Sequence, residues 1–232
     1  MKKRIILSSL LVVLLSTTTV LQANKVDAKE AHYTASVIPK NMSVQEKKKR
    51  FFALLMPAVE KVYLELENEY IKTQALVKQD PQSAKIQKLM KKYAAKNPQD
   101  LLQRMKPHPI SIALAQSAME SAWGTSRFFE EANNVFGVWS INKNEPRVPA
   151  SQKRGNKTIY VKKYATIADS IRDYYRILAT GKVFEQFRVE KMKTNDPYEL
   201  VTKLDKYSER GAAYGKELAS MIRYNKLTQY DK

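Results

Sequence analysis

Residues 114–140 read LAQSAMESAWGTSRFFEEANNVFGVWS, and this stretch decides the fold of the 232-residue chain. Its first part belongs to an apolar, alanine-rich run that begins after His108-Pro109, which predicts a helix packed on several sides that stops at Gly124. Glu120 lies near the end of that helix between apolar neighbours, where a carboxylate is seldom tolerated without a purpose. The stretch therefore predicts a buried helix that carries one acidic group.

Two effects are expected to raise the pKa of Glu120: burial in an apolar setting and the negative end of the helix dipole. A carboxyl group that keeps its proton near neutral pH suits glycosidic cleavage, because the leaving sugar oxygen must receive a proton. The alternative interpretation of the same pattern is an exposed glutamate that only solvates the end of a helix.

The rest of the chain predicts helices around one short hairpin. From Asn41 to about Tyr93 the sequence is helical, opens with a capping box of Ser43 and Glu46, and is expected to kink or divide at Pro57. Further helices are predicted after Asn97, from Thr166 to Gly181, after Asp196, and from about Ala212 to Leu227. The runs VFGVWSI (135–141) and TIYVKKY (158–164) predict two strands, with a polar loop at 142–156 between them.

Residues 1–28, MKKRIILSSLLVVLLSTTTVLQANKVDA, have the pattern of a secretory signal peptide. Three cations precede an apolar run, and small residues mark two cleavage points, after Ala23 or after Ala28. An uncleaved membrane anchor is the alternative, although the Ser/Thr-interrupted run is short for a span of about 20 apolar residues. The expected location is the periplasm or cell envelope, with membrane association if the segment is retained.

The formal net charge is +18 at pH 7, of which +15 stays after removal of residues 1–23. An exported protein with this charge is expected to meet anionic envelope polymers or a lipid surface, whereas a diffuse solubilising charge is the alternative. The run KKKR at 47–50 is expected to be a solvated face. Nucleic acid is not an expected partner, because no recognised motif accompanies the charge.

Metal, cofactor and disulfide sites are not expected. The chain has no cysteine, so it has no disulfide framework. Its two histidines, His32 and His108, are far apart in the sequence and lack the spacing of metal ligands.

The motifs ESAWGTS (120–126) and NNVFGVW (133–139) resemble glycoside hydrolase family 73, the lysozyme-like N-acetylglucosaminidases that cut peptidoglycan. The segments KRFFALLMPAVEK (49–61), YATIADSIRDYYRIL (164–178) and KYSERGAAYGKELASMIRYNKL (206–227) are similar to its bacterial Bax subgroup. The resemblance implies a mainly α, α+β lysozyme-like fold, with a helical α-lobe, a small β-hairpin lobe and a groove between them. It also implies an N-terminal helical extension at 29–95 and a glucosaminidase-like catalytic domain at 96–232.

The same resemblance assigns roles to individual residues. Glu120 occupies the position of the catalytic acid, and Tyr207 that of a tyrosine facing the cleaved bond. Tyr214 matches the second tyrosine of that motif, although the spacing differs by one residue from the commoner form. Trp123 and Phe136 either line the groove or pack in the core, and Asn134, with its neighbour Asn133, either orients Glu120 or caps the preceding helix.

The second carboxylate of the family has no clear counterpart. Relatives often carry it near the second strand, and the matching position here is Tyr160. Between Glu131 and Asp169 the only acid is Glu145, which either substitutes from the loop or pairs with nearby cations. The substrate's acetamido group or a partner protein are the other candidates.

The predicted function is that of an exported endo-β-N-acetylglucosaminidase acting on peptidoglycan glycan strands, with Glu120 as general acid. Two alternatives stay open at this point: a lytic transglycosylase on the same substrate, and a non-catalytic peptidoglycan-binding or assembly factor.

Overall fold

The computed structural model describes residues 33–154 and 157–232, so the predicted signal peptide, 1–28, lies outside the described residues. The helices are α1 (Val44–Gln79), α2 (Ala84–Tyr93), α3 (Pro98–Met105), α4 (Ile110–Glu120), α5 (Arg127–Ala132), α6 (Ile167–Thr180), α7 (Glu185–Glu190), α8 (Pro197–Leu200) and α9 (Ala212–Tyr224). Three 3-10 turns cover Lys182–Phe184, Val201–Lys203 and Leu227–Tyr230. One antiparallel hairpin joins β1 (Arg147–Arg154) to β2 (Lys157–Lys162). The predicted class, mainly α with a small hairpin, is confirmed.

Helix α1 begins where the sequence predicts, with Ser43 and Glu46 forming a capping box. It is not divided at Pro57 and ends at Gln79, with Asp80 as its C-cap immediately before Pro81. Its apolar face is fully buried and packs with α4 and α6 in the main core. The members of that face are Phe51, Leu55, Val59 and Val62. Burial of four large side chains, each contributing about 1.5–3 kcal/mol, outweighs the cost of about 3 kcal/mol for an interior proline.

The first strand lies in the segment that the sequence predicts as a loop, so the assignment of a strand to 135–141 is wrong. Within that run Gly137 has a φ of +64°, and Trp139 makes only an isolated bridge to Val161. The side chain of Asn134 bonds the backbone at the far end of the 134–138 turn, since its Oδ1 accepts from Val138 N at 2.9 Å and its Nδ2 donates to Val138 O at 3.0 Å. These local bonds replace a strand ladder.

The second strand matches its prediction in part, and the caps of the later helices are confirmed. Thr166 and Asp169 form a capping box on α6, and Asp196 caps α8. Helix α4 is buried on all sides from Ile110 to Ala118, as its composition predicts. It crosses the core and delivers Glu120 to its edge.

Candidate active site

Glu120 is the last residue of α4, and a tight turn follows it at once. Ala122, Trp123 and Gly124 have φ values of +51°, +60° and +69°, so three consecutive residues adopt the left-handed conformation. The hydroxyl of Ser121 supports the turn by donating to Ser117 O at 2.6 Å and accepting from Gly124 N at 2.8 Å. The left-handed conformation costs about 1–2 kcal/mol at a residue such as Trp123. The helix therefore ends earlier than the predicted stop at Gly124.

A buried arginine from α1 holds this turn in place. Arg50 has no exposed surface, and its Nη1 donates to Gly124 O at 2.7 Å. Its Nη2 donates to the carbonyl oxygen of Thr34 at 2.6 Å. Burial lowers the pKa of Arg50. The prediction that 47–50 is a solvated face is therefore wrong for Arg50, which clamps the turn after Glu120.

The carboxyl group of Glu120 has one directed hydrogen-bond donor. Tyr214, a fully buried residue of α9, donates its hydroxyl hydrogen to Glu120 Oε1 at 2.9 Å. The same hydroxyl oxygen accepts a bond from Gln116 Nε2 at 3.0 Å. Because the amide nitrogen is only a donor, the single tyrosine hydrogen is left to point at Glu120.

This hydrogen-bonded chain continues into the core. The hydroxyl of Tyr174 donates to Gln116 Oε1 at 2.6 Å and contacts His108 Nε2 at 2.9 Å. Since Tyr174 spends its one hydrogen on Gln116, the histidine must carry its proton on Nε2. Burial, and then the charge of Lys191, lower the pKa of His108, so the ring is neutral. The chain fixes the rotamer of Gln116 and, through it, the direction of the Tyr214 bond.

Burial is the main cause of the raised pKa of Glu120. The Tyr214 bond and the charge of Arg210 act in the opposite direction, because both stabilise the carboxylate, while the charge of Glu217 raises the pKa further. Arg210 also forms an ion pair with Glu217 and lies over the ring of Tyr214 at 4.9 Å. The expected direction of the pKa of Glu120 agrees with this structure.

Tyr207 joins this group through its ring. The rings of Tyr207 and Tyr214 are stacked, with centroids 5.4 Å apart and an interplanar angle of 10°. Tyr207 is half-buried, and its hydroxyl has no hydrogen-bond partner among the described residues. Burial, and then the charge of Glu120, raise its pKa. The structure thus brings Glu120, Tyr207 and Tyr214 together.

The two aromatic residues assigned to the groove or the core pack against other rings. Phe136 is buried and stacks on Tyr174, with centroids 4.0 Å apart. Trp123 is half-buried and meets Phe51 and Phe52 of α1 edge to face. The Nζ of Lys48 lies 4.8 Å from the centre of the Trp123 ring.

Asn134 and Glu145 belong to the β-lobe. Asn134 is buried and, besides its bonds to Val138, donates to Lys162 O at 2.9 Å, so it fastens the turn to β2. Glu145 accepts a bond from the Ser140 hydroxyl at 2.7 Å and lies 3.8 Å from Lys162 Nζ. These partners differ from the nearby cations that the sequence suggested. Neither side chain bonds Glu120.

Sequence reasoning missed three residues of the site. Gln116 lies four residues before Glu120, so both occupy one face of α4, and a lone amide in an apolar helix was a signal available in the sequence. Arg210 and Glu217 carried no such signal, because the region around them is rich in charge. Beside Met119 and Glu217 an open depression of about 600 Å³ runs along α9 to Tyr224.

No group of three or more His, Cys, Asp or Glu side chains in 33–154 and 157–232 is placed to hold a metal ion. In the same part of the chain, no helix combines the length and the apolar character needed to cross a bilayer.

Residues 95–227 match the family described as mannosyl-glycoprotein endo-beta-N-acetylglucosaminidase, and this range holds more than half of the chain. The chain belongs to this family. The match confirms the resemblance and the glycoside hydrolase class predicted from the sequence, and it defines a glucosaminidase domain that contains Glu120, Tyr207 and Tyr214.

Two curated relatives cover about half of the chain. The chain is 27% identical to protein bax from Escherichia coli over 131 aligned residues. This alignment covers 54% of this chain and 46% of the relative. It is 26% identical to the exo-glucosaminidase LytG from Bacillus subtilis over 138 aligned residues. This alignment covers 53% of this chain and 46% of the relative. The chain thus spans about half the length of these relatives.

Solved structures of low sequence identity were also found. The catalytic domain of the autolysin Auto from Listeria monocytogenes has a TM-score of 0.46 and 19% identity, covering 82% of this chain and 98% of that one. The glycoside hydrolase domain of FlgJ from Salmonella typhimurium has a TM-score of 0.47 and 18% identity, covering 78% of this chain and 90% of that one.

Proposed function

We propose that this chain is an exported endo-β-N-acetylglucosaminidase that cuts peptidoglycan glycan strands with Glu120 as general acid. The observation that carries the proposal is a half-buried carboxyl group at the end of α4, whose pKa is raised by burial and whose Oε1 accepts a directed bond from Tyr214. Family membership supports the class of reaction.

The direction of the Tyr214 bond assigns the two oxygens of Glu120. Oε1 accepts the tyrosine hydrogen, so the transferable proton is carried on Oε2. During cleavage this proton passes to the bridging oxygen as its bond to the sugar C1 breaks, and Glu120 is left as a carboxylate. Tyr214 and the charge of Arg210 then stabilise that carboxylate, so the same groups serve the acid after it has given up its proton.

Tyr207 is proposed to act on the sugar whose C1 is separated from the leaving oxygen. Its ring is fixed against Tyr214, while its hydroxyl has no bond to any described residue, so the hydroxyl can turn toward substrate. A hydroxyl oxygen near the positive charge that develops on C1 stabilises the transition state.

A lytic transglycosylase is the second candidate, and one observation favours it. Glu145, the only acid between Glu131 and Asp169, is held by Ser140 and Lys162, which leaves Glu120 without an identified carboxylate to activate water. In a transglycosylase the sugar's own hydroxyl replaces water, and the product carries an anhydro ring.

The experiment is cleavage of purified peptidoglycan by wild-type protein and by Glu120→Gln, with mass spectrometry of the released fragments. The substitution keeps the shape of the side chain but removes the acid, so we expect a loss of about 10²–10⁴-fold in rate with an unchanged fold. Glu131→Gln, an exposed change on α5, is the matched control.

The fragments decide between the candidates. Products that end in reducing N-acetylglucosamine support the glucosaminidase, whereas anhydro-N-acetylmuramic acid identifies the transglycosylase. Wild-type turnover by a folded Gln variant would reject Glu120 as the acid. Binding to sacculi without release of sugar by the wild type would identify a non-catalytic binding factor.

Export and envelope binding form a separate part of the proposal, supported by the pattern of residues 1–28 and the net charge of +18. We expect the full chain, expressed in a bacterium, to yield a mature protein that begins at Asn24 or Lys29. N-terminal sequencing measures this directly, and a protein that retains Met1 and fractionates with membranes would identify the anchor instead. Binding to anionic polymers or lipid is expected to weaken as salt rises.

A further inference from the structure

A cavity of about 560 Å³ opens between α1, α3 and α6, and Glu120, Tyr207 and Tyr214 are not among its lining residues. This volume falls in the range of ligand sites, about 300–1,000 Å³. The cavity plays no part in the proposed glycan chemistry, so its lining needs its own explanation.

Two lysines cross one wall of the cavity. Lys191 is 3% exposed, and its Nζ donates to the carbonyl oxygen of Lys106, while Lys106 Nζ donates to the carbonyl oxygen of Lys191. Each ammonium group has three N–H donors and uses one in these bonds. Neither lysine has a carboxylate partner in the part of the chain that the structure describes.

The charge around Lys191 makes this arrangement costly. Burial, and then the charges of Arg188 and Lys106, lower the pKa of Lys191 to about 7. Buried charges in proteins are normally paired, because desolvation without a partner costs several kcal/mol. An anion placed between the two ammonium groups would supply the missing partner.

The remaining lining combines apolar walls with further charged groups, which are mostly cations but include the carboxylates of Glu65 and Glu69. Leu66, Met105 and Leu178 supply apolar surface. Lys72 and Lys92 are exposed cations of the same lining, and no carboxylate among the described residues pairs with either. The arginines of this lining differ, since they pair with acids: Arg104 with Asp100, Arg172 with Glu65 and Asp169, and Arg176 with Asp173.

We propose that this cavity binds a small amphiphilic anion, with a carboxylate or phosphate head at Lys106 and Lys191 and an apolar body along Leu66, Met105 and Leu178. The apolar lining favours a hydrocarbon or aromatic body over a free inorganic ion, and the unpaired lysines favour an acid over a neutral lipid. The cavity is lined by none of the residues of the proposed glycosidase site, so binding there does not depend on that activity.

The test uses two probes that share one aromatic body. The fluorescent probe 8-anilino-1-naphthalenesulfonate carries an anionic head, and N-phenyl-1-naphthylamine lacks it. We expect one sulfonate probe per chain, bound about tenfold or more tighter than the neutral probe. Lys191→Met and Lys106→Met are expected to weaken the sulfonate probe about tenfold and to change the neutral probe by less than about twofold.

Three controls make the result decisive. Lys85→Met removes an exposed charge of α2 outside the cavity and is expected to leave both probes unaffected. Leu66→Trp places an indole in the cavity and is expected to exclude both probes; it also covers the case in which Lys191→Met fails to fold. Decanoate and decyl phosphate are expected to displace the sulfonate probe, whereas decanol is not. The stronger of the two acidic competitors identifies whether the site prefers a carboxylate or a phosphate head group.

Several outcomes would overturn the proposal. Equal affinity for the two probes would remove the role of the lysines. An equal loss in Lys85→Met and Lys191→Met would show a diffuse surface effect, and binding that survives Leu66→Trp would place the probe elsewhere. Failure of both acidic competitors would remove the amphiphilic anion as a ligand.

Discussion

Glu120, which is half-buried, and Lys191, which is buried, are two ionisable groups with different surroundings. One chain of hydrogen bonds runs between their surroundings. It leads from Glu120 through Tyr214, Gln116 and Tyr174 to His108. The charge of Lys191 lowers the pKa of His108 at the far end of this chain. Burial shifts both pKa values toward the neutral form, upward for the acid and downward for the lysine.

The surroundings of the two groups decide what that shift achieves. At Glu120 the hydrogen bond from Tyr214 and the charge of Arg210 limit the rise of the pKa. The surroundings therefore accommodate both the protonated acid and the carboxylate. At Lys191 the neighbouring charges are positive and push the pKa further down. The comparison indicates that a compensated buried charge suits catalysis, whereas an uncompensated one suits the binding of an opposite charge.

The largest effect that we expect from changing either group is that of Lys191→Met on the free energy of unfolding. The pKa is about 7 in the folded chain and has its ordinary value of 10.5 in the unfolded chain. The unfolded chain therefore binds more protons between these values, so this residue makes wild-type stability rise with pH across that window. Denaturant titrations are expected to show Lys191→Met more stable by roughly 2–4 kcal/mol at pH 6, with the difference shrinking toward pH 10.

The pH dependence separates this explanation from a simple packing change. A gain in stability that is equal at pH 6 and pH 10 would mean that Met only packs better than Lys. A destabilised variant at pH 6 would mean that the bond from Lys191 to the carbonyl of Lys106 outweighs the buried charge. Lys85→Met serves as the control here as well.

The next effect, on the acid side, is that of Tyr214→Phe. The change removes the donor to Glu120 Oε1 and leaves Gln116 Nε2 without its acceptor. We expect kcat to fall about 10–100-fold and stability to fall by about 1–3 kcal/mol. Because the lost bond stabilised the carboxylate, the pKa of Glu120 rises, and the alkaline limb of the pH–rate profile moves to higher pH.

Tyr224→Phe is the matched control, since Tyr224 lies on the same helix and is 82% exposed. An alkaline limb that stays in place in Tyr214→Phe would contradict Glu120 as the group that titrates there.

Tyr207→Phe is expected to have a smaller effect. The hydroxyl has no partner among the described residues, so its removal leaves no buried group unsatisfied and the melting temperature is expected to stay unchanged. If the hydroxyl acts on substrate, kcat falls about fivefold, the value of one modest hydrogen bond. A loss of stability without a loss of rate would assign Tyr207 to the core instead.

Helix α4 shows most clearly which features of the molecule could be predicted from the sequence and which could not. Its composition predicted a buried helix, and the position of Glu120 among apolar residues predicted a raised pKa, because both depend on neighbours in the sequence. Gln116 was missed as a site residue, since its role depends on Tyr174 and Tyr214, which come from distant helices. Contacts over such separations are not encoded in any local pattern.

The hairpin was the part predicted least well. Aromatic and β-branched residues at 135–141 suggested a strand, but the bonds of Asn134 and the positive φ of Gly137 form a turn there. The strand uses 147–154 instead, a polar run that pairs antiparallel with β2. Strand propensity reflects the surface on which a strand packs, which a single sequence does not show.

The smallest expected effect is that of Glu145→Gln, and it tests whether any second carboxylate exists in the β-lobe. Glu145 accepts a short bond from Ser140, and Lys162, its cationic neighbour, is bound more closely by Asp173, at 2.9 Å against 3.8 Å. These contacts direct the carboxylate into the hairpin and toward α6, and none of them involves Glu120 or Tyr207.

We therefore expect Glu145→Gln to cut purified peptidoglycan at a rate within about twofold of wild type, because an amide oxygen still accepts from Ser140. Stability is expected to change by less than about 1 kcal/mol, as for a partly exposed ion pair. A loss of about 10²-fold with unchanged stability would instead make Glu145 the water-activating group. That result would remove the observation that favours a transglycosylase, because the site would then hold both carboxylates that hydrolysis of a glycosidic bond uses.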